Sequence, residues 1–183
     1  MKEFPINHSL LSSAFQHVKE NHGCAGVDGV TIERFEENLD LNLARLQDEL
    51  PLMKILVEKK NGEPRVLCIP AVRDRVVETA VLQMIEPVLE KEFEECSFAY
   101  RKGRSVKQVV YKIRDYYDKG YRWVVDAGID AFFDSVNHNL LLAKFKQYIH
   151  DPHIQRLIEL WLAAEIWDGT SLKVCQKGIP QGS

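Results

Sequence analysis

The chain has 183 residues, of which 45% are hydrophobic and 28% charged, and its formal net charge is −3. These values are typical of a globular protein with one domain and one core, and they exclude a protein that is basic over its whole surface. No apolar run approaches the roughly 20 residues of a membrane-spanning helix, and the first ten residues lack the apolar block of a signal peptide. We therefore expect a soluble, cytoplasmic protein with reduced cysteines.

The first third of the chain predicts two helices followed by a β-hairpin. Apolar residues at helical spacing begin at Leu10, and this helix should end at His22 and Gly23. A second helix over 31–50 is predicted, because Thr31 can cap it and Pro51 ends it. Two short strands should then flank residues 60–63, where Asn-Gly is typical of a tight turn.

The remaining elements are mostly helical. A long helix over 71–93 is predicted, with Pro87 as a kink or break, and a loop over 96–105 follows it. Ser105 should cap a helix that reaches about residue 119. The β-branched and aromatic residues from Tyr121 predict a strand that runs into a turn. Two helices and a final strand are expected after it, over 138–148, 152–165 and 171–176, which gives an α+β fold class without a second domain.

Charge is unevenly distributed along the chain. Residues 28–49 carry seven acidic and two basic side chains, residues 86–95 carry five and one, and residues 101–122 carry two acidic and eight basic ones. Two interpretations remain open. Acidic and basic helix faces could pair with each other in solvent, or the basic segment could face the phosphates of a nucleic acid.

Five segments resemble one enzyme family in the same order along the chain. They are AGVDGVT at 25–31, KKNGEPRVLCIPAVRDRVVETAVLQMIEP at 59–87, SFAYRKGRSVKQVV at 97–110, AFFDSVNHNLL at 131–141 and GIPQGS at 178–183. They are similar to reverse transcriptases of the group II intron type, which include those associated with CRISPR adaptation. The resemblance implies a right-hand polymerase fold, with the fingers over about 1–120 and an incomplete palm sheet over about 121–183.

The resemblance also implies contacts with an RNA template, a DNA primer and an incoming nucleotide. The nucleotide would be bound by Lys60, Arg65, Phe133 and Gln181, and the nucleic acid by Arg73, Arg75, Arg101, Lys102, Arg104 and Gly182. Ammonium and guanidinium groups suit phosphate oxygens, and an aromatic ring beside a flexible glycine suits stacking on a single strand. A solvated hairpin and local ion pairs are the alternatives.

The family cofactor is a pair of Mg²⁺ ions held by carboxylates, and here the sequence departs from the family pattern. Gly128 stands where the metal-binding aspartate of the first palm strand is expected, with Asp126 and Asp130 two residues away on either side. In a strand, such a shift moves a side chain by about 6 to 7 Å, which Mg²⁺ coordination does not tolerate. Asp126 and Asp130 are therefore weak metal candidates, and Asp134 is expected to cap the turn or the next helix.

These departures lead to three hypotheses about function. The sequence ends before the family's second metal-binding segment, Tyr-x-Asp-Asp, so we expect a polymerase fragment that is inactive alone. A module that binds nucleic acid or a partner, such as a separate palm and thumb chain, a CRISPR adaptation protein or a second copy, is the second hypothesis. A decayed gene remnant is the third. No nucleophile triad, zinc site, P-loop or dinucleotide motif is present.

Overall fold

The computed structural model describes residues 6–26, 28–48, 54–58, 67–167, 172–174 and 176–179. Within these ranges the fold is mostly helical, as predicted, and a small four-stranded sheet accompanies the helices. None of the described helices is long and apolar enough to cross a membrane. One cluster of buried apolar side chains, drawn from residues 6–85 and 149–157, forms the core.

Helix α1 spans His8–Glu20 and packs along α4. Asn7 begins it, because its side-chain oxygen accepts a hydrogen bond from the Leu10 amide at 2.9 Å and satisfies one of the free donors of the first turn. The helix buries one face, which consists of Leu11, Ala14, Phe15 and Val18. The predicted first helix is confirmed.

The predicted helix over 31–50 is two helices in the structure, α2 over Ile32–Glu36 and α3 over Leu39–Asp48. Thr31 caps α2 as predicted, since its hydroxyl accepts a bond from the Arg34 amide. The break has a side-chain cause: Asn42 donates its amide to the Phe35 carbonyl at 2.8 Å and replaces a backbone partner there. The apolar period does not reveal this break, because both helices bury the same face.

Helix α4 spans Val72–Leu89 without interruption, although Pro87 lies inside it. Proline removes only one hydrogen bond so close to the end of a helix, and the chain then tightens into a 3-10 turn over Glu90–Glu92. Seven side chains of α4 are buried, and helices α1, α2 and α3 all contact it. It is the central element of the core.

The sheet has the strand order β2-β1-β3-β4. Strands β1, Lys54–Glu58, and β2, Leu67–Ile69, pair antiparallel, with Leu56 opposite Ile69. The predicted turn at Asn61 and Gly62 lies outside the described residues. Strand β3, Glu165–Trp167, pairs parallel with β1 and antiparallel with β4, Leu172–Val174.

The strand predicted from Tyr121 is wrong. Residues 121–129 have no regular secondary structure, and the side chains of Trp123, Val124 and Val125 are almost fully exposed. A β-favouring composition forms a strand only when a neighbouring strand accepts its backbone hydrogen bonds. Within the described part of the chain, no strand pairs with this segment. The pairs of the sheet are β1 with β2, β1 with β3 and β3 with β4.

Four further helices are described between β2 and β3 after α4: α5 over Val106–Asp118, α6 over Phe132–Ser135, α7 over His138–Tyr148 and α8 over Pro152–Leu162. Ser105 caps α5 as predicted and forms a capping box with Gln108. Asn137, and not Asp134, caps α7, since its side chain accepts from the Leu140 amide. Helix α8 ends at Leu162, three residues earlier than predicted, and a strand begins at Glu165.

Candidate nucleic-acid interface

The loop between the 3-10 turn and α5 is held by one arginine. Arg101 donates to both carboxylate oxygens of Glu90, at distances of 2.6 to 3.2 Å, and to the carbonyls of Glu94 and Ser97 at 2.8 and 2.7 Å. Its guanidinium also lies over the Phe93 ring, and its side chain is only 6% exposed. These bonds lower the pKa of the Glu90 carboxyl, since they stabilise its charged form.

Arg101 was predicted to contact nucleic acid, and in the structure its Nε, Nη1 and Nη2 all donate inside the loop. The pair with Glu90 also joins the acidic segment 86–95 to the basic segment 101–122. For Arg101, the structure thus shows an ion pair between the acidic and the basic segment, which was one of the two interpretations of the charge pattern. Composition could not single out Glu90 among the five acidic residues of its segment.

With Arg101 turned inwards, the other predicted residues of the loop face outwards. Lys102 is exposed, and Tyr100 is fully exposed at a positive φ of 56°. Arg104 is half-buried, with its guanidinium 5.6 Å from the centre of the Phe98 ring. This packing restricts Arg104 while its charge stays at the surface, so the loop presents two cations and an aromatic ring to solvent.

Helix α5 continues this positive surface and buries none of its side chains. Two ion pairs with acidic residues of the same helix, Arg114 with Asp118 and Lys119 with Asp115, neutralise part of its charge. Lys107 and Lys112 instead lie over the rings of Tyr111 and Tyr116. Together, the loop 97–104 and α5 form what we call the basic face.

Apolar side chains are exposed beside the basic face. A groove of about 460 Å³ lies between α5 and the segment after it, and its lining includes Ile113, Tyr117, Trp123 and Val124. Arg122 shapes this groove, because it donates to the carbonyls of Tyr117 and Tyr121 and covers the Tyr117 ring at 4.2 Å. An amphipathic helix in a folded protein normally buries its apolar face, so this one lacks a covering element within the described residues.

The segment 176–179 is docked on the turn between α6 and α7. Gly178 donates to the Val136 carbonyl at 2.7 Å and Ile179 donates to the Phe133 carbonyl at 2.8 Å. His138 Nε2 lies 2.6 Å from the Gly178 carbonyl and donates to it. His138 was not among the candidate site residues, and no pattern in the sequence pairs it with a residue forty positions later.

Of the predicted nucleotide-binding residues, only Phe133 is described, and its ring is partly exposed. Lys60, Arg65 and Gln181 lie outside the described residues, as does Gly182 of the nucleic-acid set. The last described residue before Gln181 and Gly182 is Ile179, whose amide donates to the Phe133 carbonyl.

The two predicted arginines at the start of α4 have different environments. Arg75 points inwards, where its Nη2 donates to the Cys24 carbonyl at 2.6 Å and its Nε is buried without a partner. Burial lowers the pKa of Arg75. Arg73 is half-exposed, and its Nε lies 3.7 Å from Asp74 Oδ1, beyond hydrogen-bond distance. Arg73 can reach a ligand, whereas Arg75 ties α4 to the loop before α2.

Two carboxyl groups beside these arginines are taken out of water. Asp74 is buried, and desolvation raises its pKa to about 6 against the opposing effect of Arg73. Desolvation likewise raises the pKa of Glu78 to about 7, and the nearby Asp74 adds to this effect. Both groups therefore titrate close to neutral pH.

The metal candidates do not form a site. Asp126 and Asp130 are exposed on the irregular segment, so the argument that alternate residues share a strand face does not apply to them. Among the described residues, no three potential ligands are grouped closely enough to hold a metal ion. A divalent ion held by protein oxygens needs several of them at about 2.0 to 2.6 Å. The carboxylates described here do not fit the two Mg²⁺ ions that the resemblance implies.

Comparison with known proteins identifies the relatives of this fold. The family model for "Reverse transcriptase (RNA-dependent DNA polymerase)" matches residues 57–183. The chain is 32% identical over 169 residues to protein YkfC of Escherichia coli (strain K12), covering 86% of this chain and 44% of YkfC. It is 28% identical over 177 residues to the group II intron-encoded protein LtrA of Lactococcus lactis subsp. cremoris, covering 92% of this chain and 29% of LtrA.

A solved structure is similar as well. A chain of the partial Cas6-RT-Cas1--Cas2 complex superposes with a TM-score of 0.56 at 25% identity, over 96% of this chain and 30% of that one. The chain therefore spans less than half the length of each of these relatives.

We expect the stability of the protein to fall as the pH rises from about 4 to 7. A carboxyl whose folded-state pKa lies above its unfolded-state value contributes its full stability below the unfolded-state pKa, and that contribution is lost as the pH rises to the folded-state pKa. The window therefore runs from the ordinary value of 3.8 to about 6 for Asp74 and from 4.5 to about 7 for Glu78. Urea unfolding should show a loss on the order of 2 kcal/mol across it.

The variants Asp74→Asn and Glu78→Gln should each flatten this dependence. Any pH-independent cost of the new amide would shift the whole curve without changing its slope. Asp130→Asn, at an exposed carboxyl, is the control and should leave the slope unchanged. An unaltered slope in both buried variants would contradict the assignment.

Substitution of Gly178 by alanine should release the docked segment. The new Cβ would lie 2.8 Å from the Asp134 carbonyl oxygen, and φ at this position is +83°. Gly120 has a φ of +99° and an alanine there would meet nothing within 4 Å, so Gly120→Ala carries the backbone strain without the clash. Amide exchange at Ile179 should accelerate about tenfold or more in Gly178→Ala only, and equal exchange in both variants would exclude a steric cause.

Proposed function

Because the chain belongs to the reverse transcriptase (RNA-dependent DNA polymerase) family, we propose that it supplies the template- and nucleotide-facing part of an RNA-directed DNA polymerase. The polymerase would be of the group II intron or CRISPR-associated type. In this proposal, residues 1–120 correspond to the fingers and residues 121–183 to the beginning of the palm. The bound partners are an RNA template and a DNA primer.

The observation that carries the proposal is the arrangement of the basic loop. Arg101 holds the loop from inside, so that Lys102 and Arg104 remain at the surface next to the exposed Tyr100. Cations and an aromatic ring on a fixed support suit a single strand, because cations neutralise phosphates and rings stack on any base. We assign to Arg101 a positioning role and to Lys102 and Arg104 the phosphate contacts. Binding of this kind carries little sequence specificity.

The nucleotide is proposed to bind between the β1–β2 connection and the turn that holds Phe133. Lys60 and Arg65 would neutralise the triphosphate, and Phe133 and Gln181 would lie near the sugar and base. The docked segment 176–179 supports this assignment, since it brings the chain past the Phe133 carbonyl immediately before Gln181. Mg²⁺ is the ion that the family resemblance implies, but the described carboxylates do not fit it, and we derive no catalytic step through it.

The exposed groove beside α5 favours a second role, as a docking face for further polypeptide. Helix α5 buries no side chain, and residues 122–125 have no partner strand among the described residues and lie next to apolar side chains. A strand added there would gain backbone hydrogen bonds and cover the groove. The remainder of a polymerase fold, in the same polypeptide or a separate one, is the partner that we propose. The solved relative is a chain of a partial Cas6-RT-Cas1--Cas2 complex, so a CRISPR adaptation protein is a candidate alternative, and self-association is another.

Charge reversal on the loop should weaken RNA binding in a salt-dependent way. We expect Lys102→Glu and Arg104→Glu each to reduce affinity for a single-stranded RNA several-fold at low salt. Each lost phosphate contact should lower the slope of log affinity against log salt concentration by about 0.7. Fluorescence anisotropy with a labelled oligonucleotide measures both quantities.

Arg34→Glu reverses an exposed charge on α2 and is the matched control, which should retain most of the affinity. Arg101→Gln should weaken binding while leaving the salt slope nearly unchanged, since that residue positions the loop without touching phosphate. The absence of RNA binding by the wild-type chain at low salt would exclude the proposal.

The chain should not extend a primer by itself. We expect no deoxynucleotide incorporation on an RNA template with a DNA primer and Mg²⁺, since Asp126 and Asp130 are exposed and no three potential metal ligands are grouped among the described residues. Gly128→Asp should also be inactive, because a Cβ at residue 128 would have no neighbour within 4 Å. Incorporation by the wild-type chain above a protein-free control would refute this expectation.

A further inference from the structure

A cavity of about 400 Å³ lies where α2 and α3 meet the start of α4. It is lined by Phe35, Asn42, Arg45, Leu46 and Arg73. The lining includes no residue of the basic face, so the cavity is separate from the loop and from α5. Arg45 was not among the candidate residues of the sequence, which placed it within an acidic segment.

Among the described residues, two guanidinium groups and no acidic group line this cavity. Arg45 is exposed and makes no ion pair among the described residues, and Arg73 has only the 3.7 Å approach to Asp74. Like charges that share a cavity repel each other unless an anion lies between them. Each guanidinium keeps planar donors that match phosphate oxygens in pairs.

The backbone adds to the positive potential of the cavity. Helix α4 has 18 residues and begins at Val72, next to Arg73, and its N-cap residue, Ala71, has no side-chain acceptor for the first amides. The amino end of a helix of this length attracts anions. The buried side chains of Phe35 and Leu46 form an apolar floor, which excludes water below a bound group and strengthens its ionic contacts.

One group opposes anion binding. Asp74 is buried beside Arg73, and its Oδ1 has no hydrogen-bond partner. Asp74 is not among the described residues that line the cavity, to which Arg45 and Arg73 contribute two positive charges. A protonated Asp74 would remove this opposition.

We propose that this cavity is a phosphate-binding site in which Arg45 and Arg73 hold the anion. A phosphate of a nucleic-acid backbone and a free phosphate or pyrophosphate share the chemistry that the site recognises. The site rests on the side chains of the cavity and not on the function proposed for the loop. It would give the chain a phosphate contact outside the basic face.

The test is a titration of the whole chain with pyrophosphate, inorganic phosphate and a single-stranded RNA, each in a separate arm. The side-chain Nε resonances of Arg45 and Arg73, assigned from the variants Arg45→Gln and Arg73→Gln, report binding at the cavity directly. Each variant should weaken binding at the site roughly tenfold or more. Arg34→Gln is the matched control on α2 and should bind as the wild type does.

The arms separate the two sources of phosphate. Shifts of both resonances with pyrophosphate or phosphate identify a site for a free anion, and shifts with RNA alone identify a backbone contact. The double variant Lys102→Glu with Arg104→Glu should leave the pyrophosphate response unchanged, which separates this site from the loop. No shift in any arm, or equal binding by both cavity variants and the wild type in folded protein, overturns the proposal.

Discussion

Helix α4 is buried by its neighbours along much of its length, and the rest of the molecule depends on that burial. Helices α1, α2 and α3 pack on it, and β2 leads directly into its first turn. Such burial stabilises the fold through apolar side chains, but it also removes water from the polar residues of the helix. Asp74, Arg75 and Glu78 are the residues that lose hydration in this way.

The buried polar residues of α4 differ in whether they find hydrogen-bond partners. Arg75 finds the carbonyl of Cys24 and so joins α4 to the glycine-rich loop, where Gly26 lies against the backbone of Ala71. A side chain at residue 26 would occupy the space of that backbone. Asp74 and Glu78 show no comparable hydrogen bond among the described residues, and desolvation raises their pKa values.

The residues of the basic segment also differ in whether their hydrogen-bond donors have partners within the protein. Arg101 is satisfied within its loop and serves structure, whereas Lys102 and Arg104 remain at the surface next to an exposed ring. Helix α5 also has apolar side chains that no other described residue buries. Charge and apolar surface therefore lie side by side, as expected of a face that meets both nucleic acid and polypeptide.

The sequence alone determined the local features of this protein. Helix spacing and the caps at Thr31 and Ser105 were predictable, because they depend on residues three or four positions apart. The family was also predictable, since its motifs are contiguous and occur in order. Residues 28–49 and 101–122 could be assigned their net charge, but not the direction in which any one side chain points.

Only the tertiary structure decided which residues meet across long separations. The strand predicted from Tyr121 has no partner strand, and the parallel pair of β1 with β3 joins residues more than a hundred positions apart. The bond between His138 and Gly178, the capture of Arg101 by Glu90 and the shared cavity of Arg45 and Arg73 arise in the same way. Strand pairing and ion pairing depend on neighbours in space, and the order of residues along the chain does not specify those neighbours.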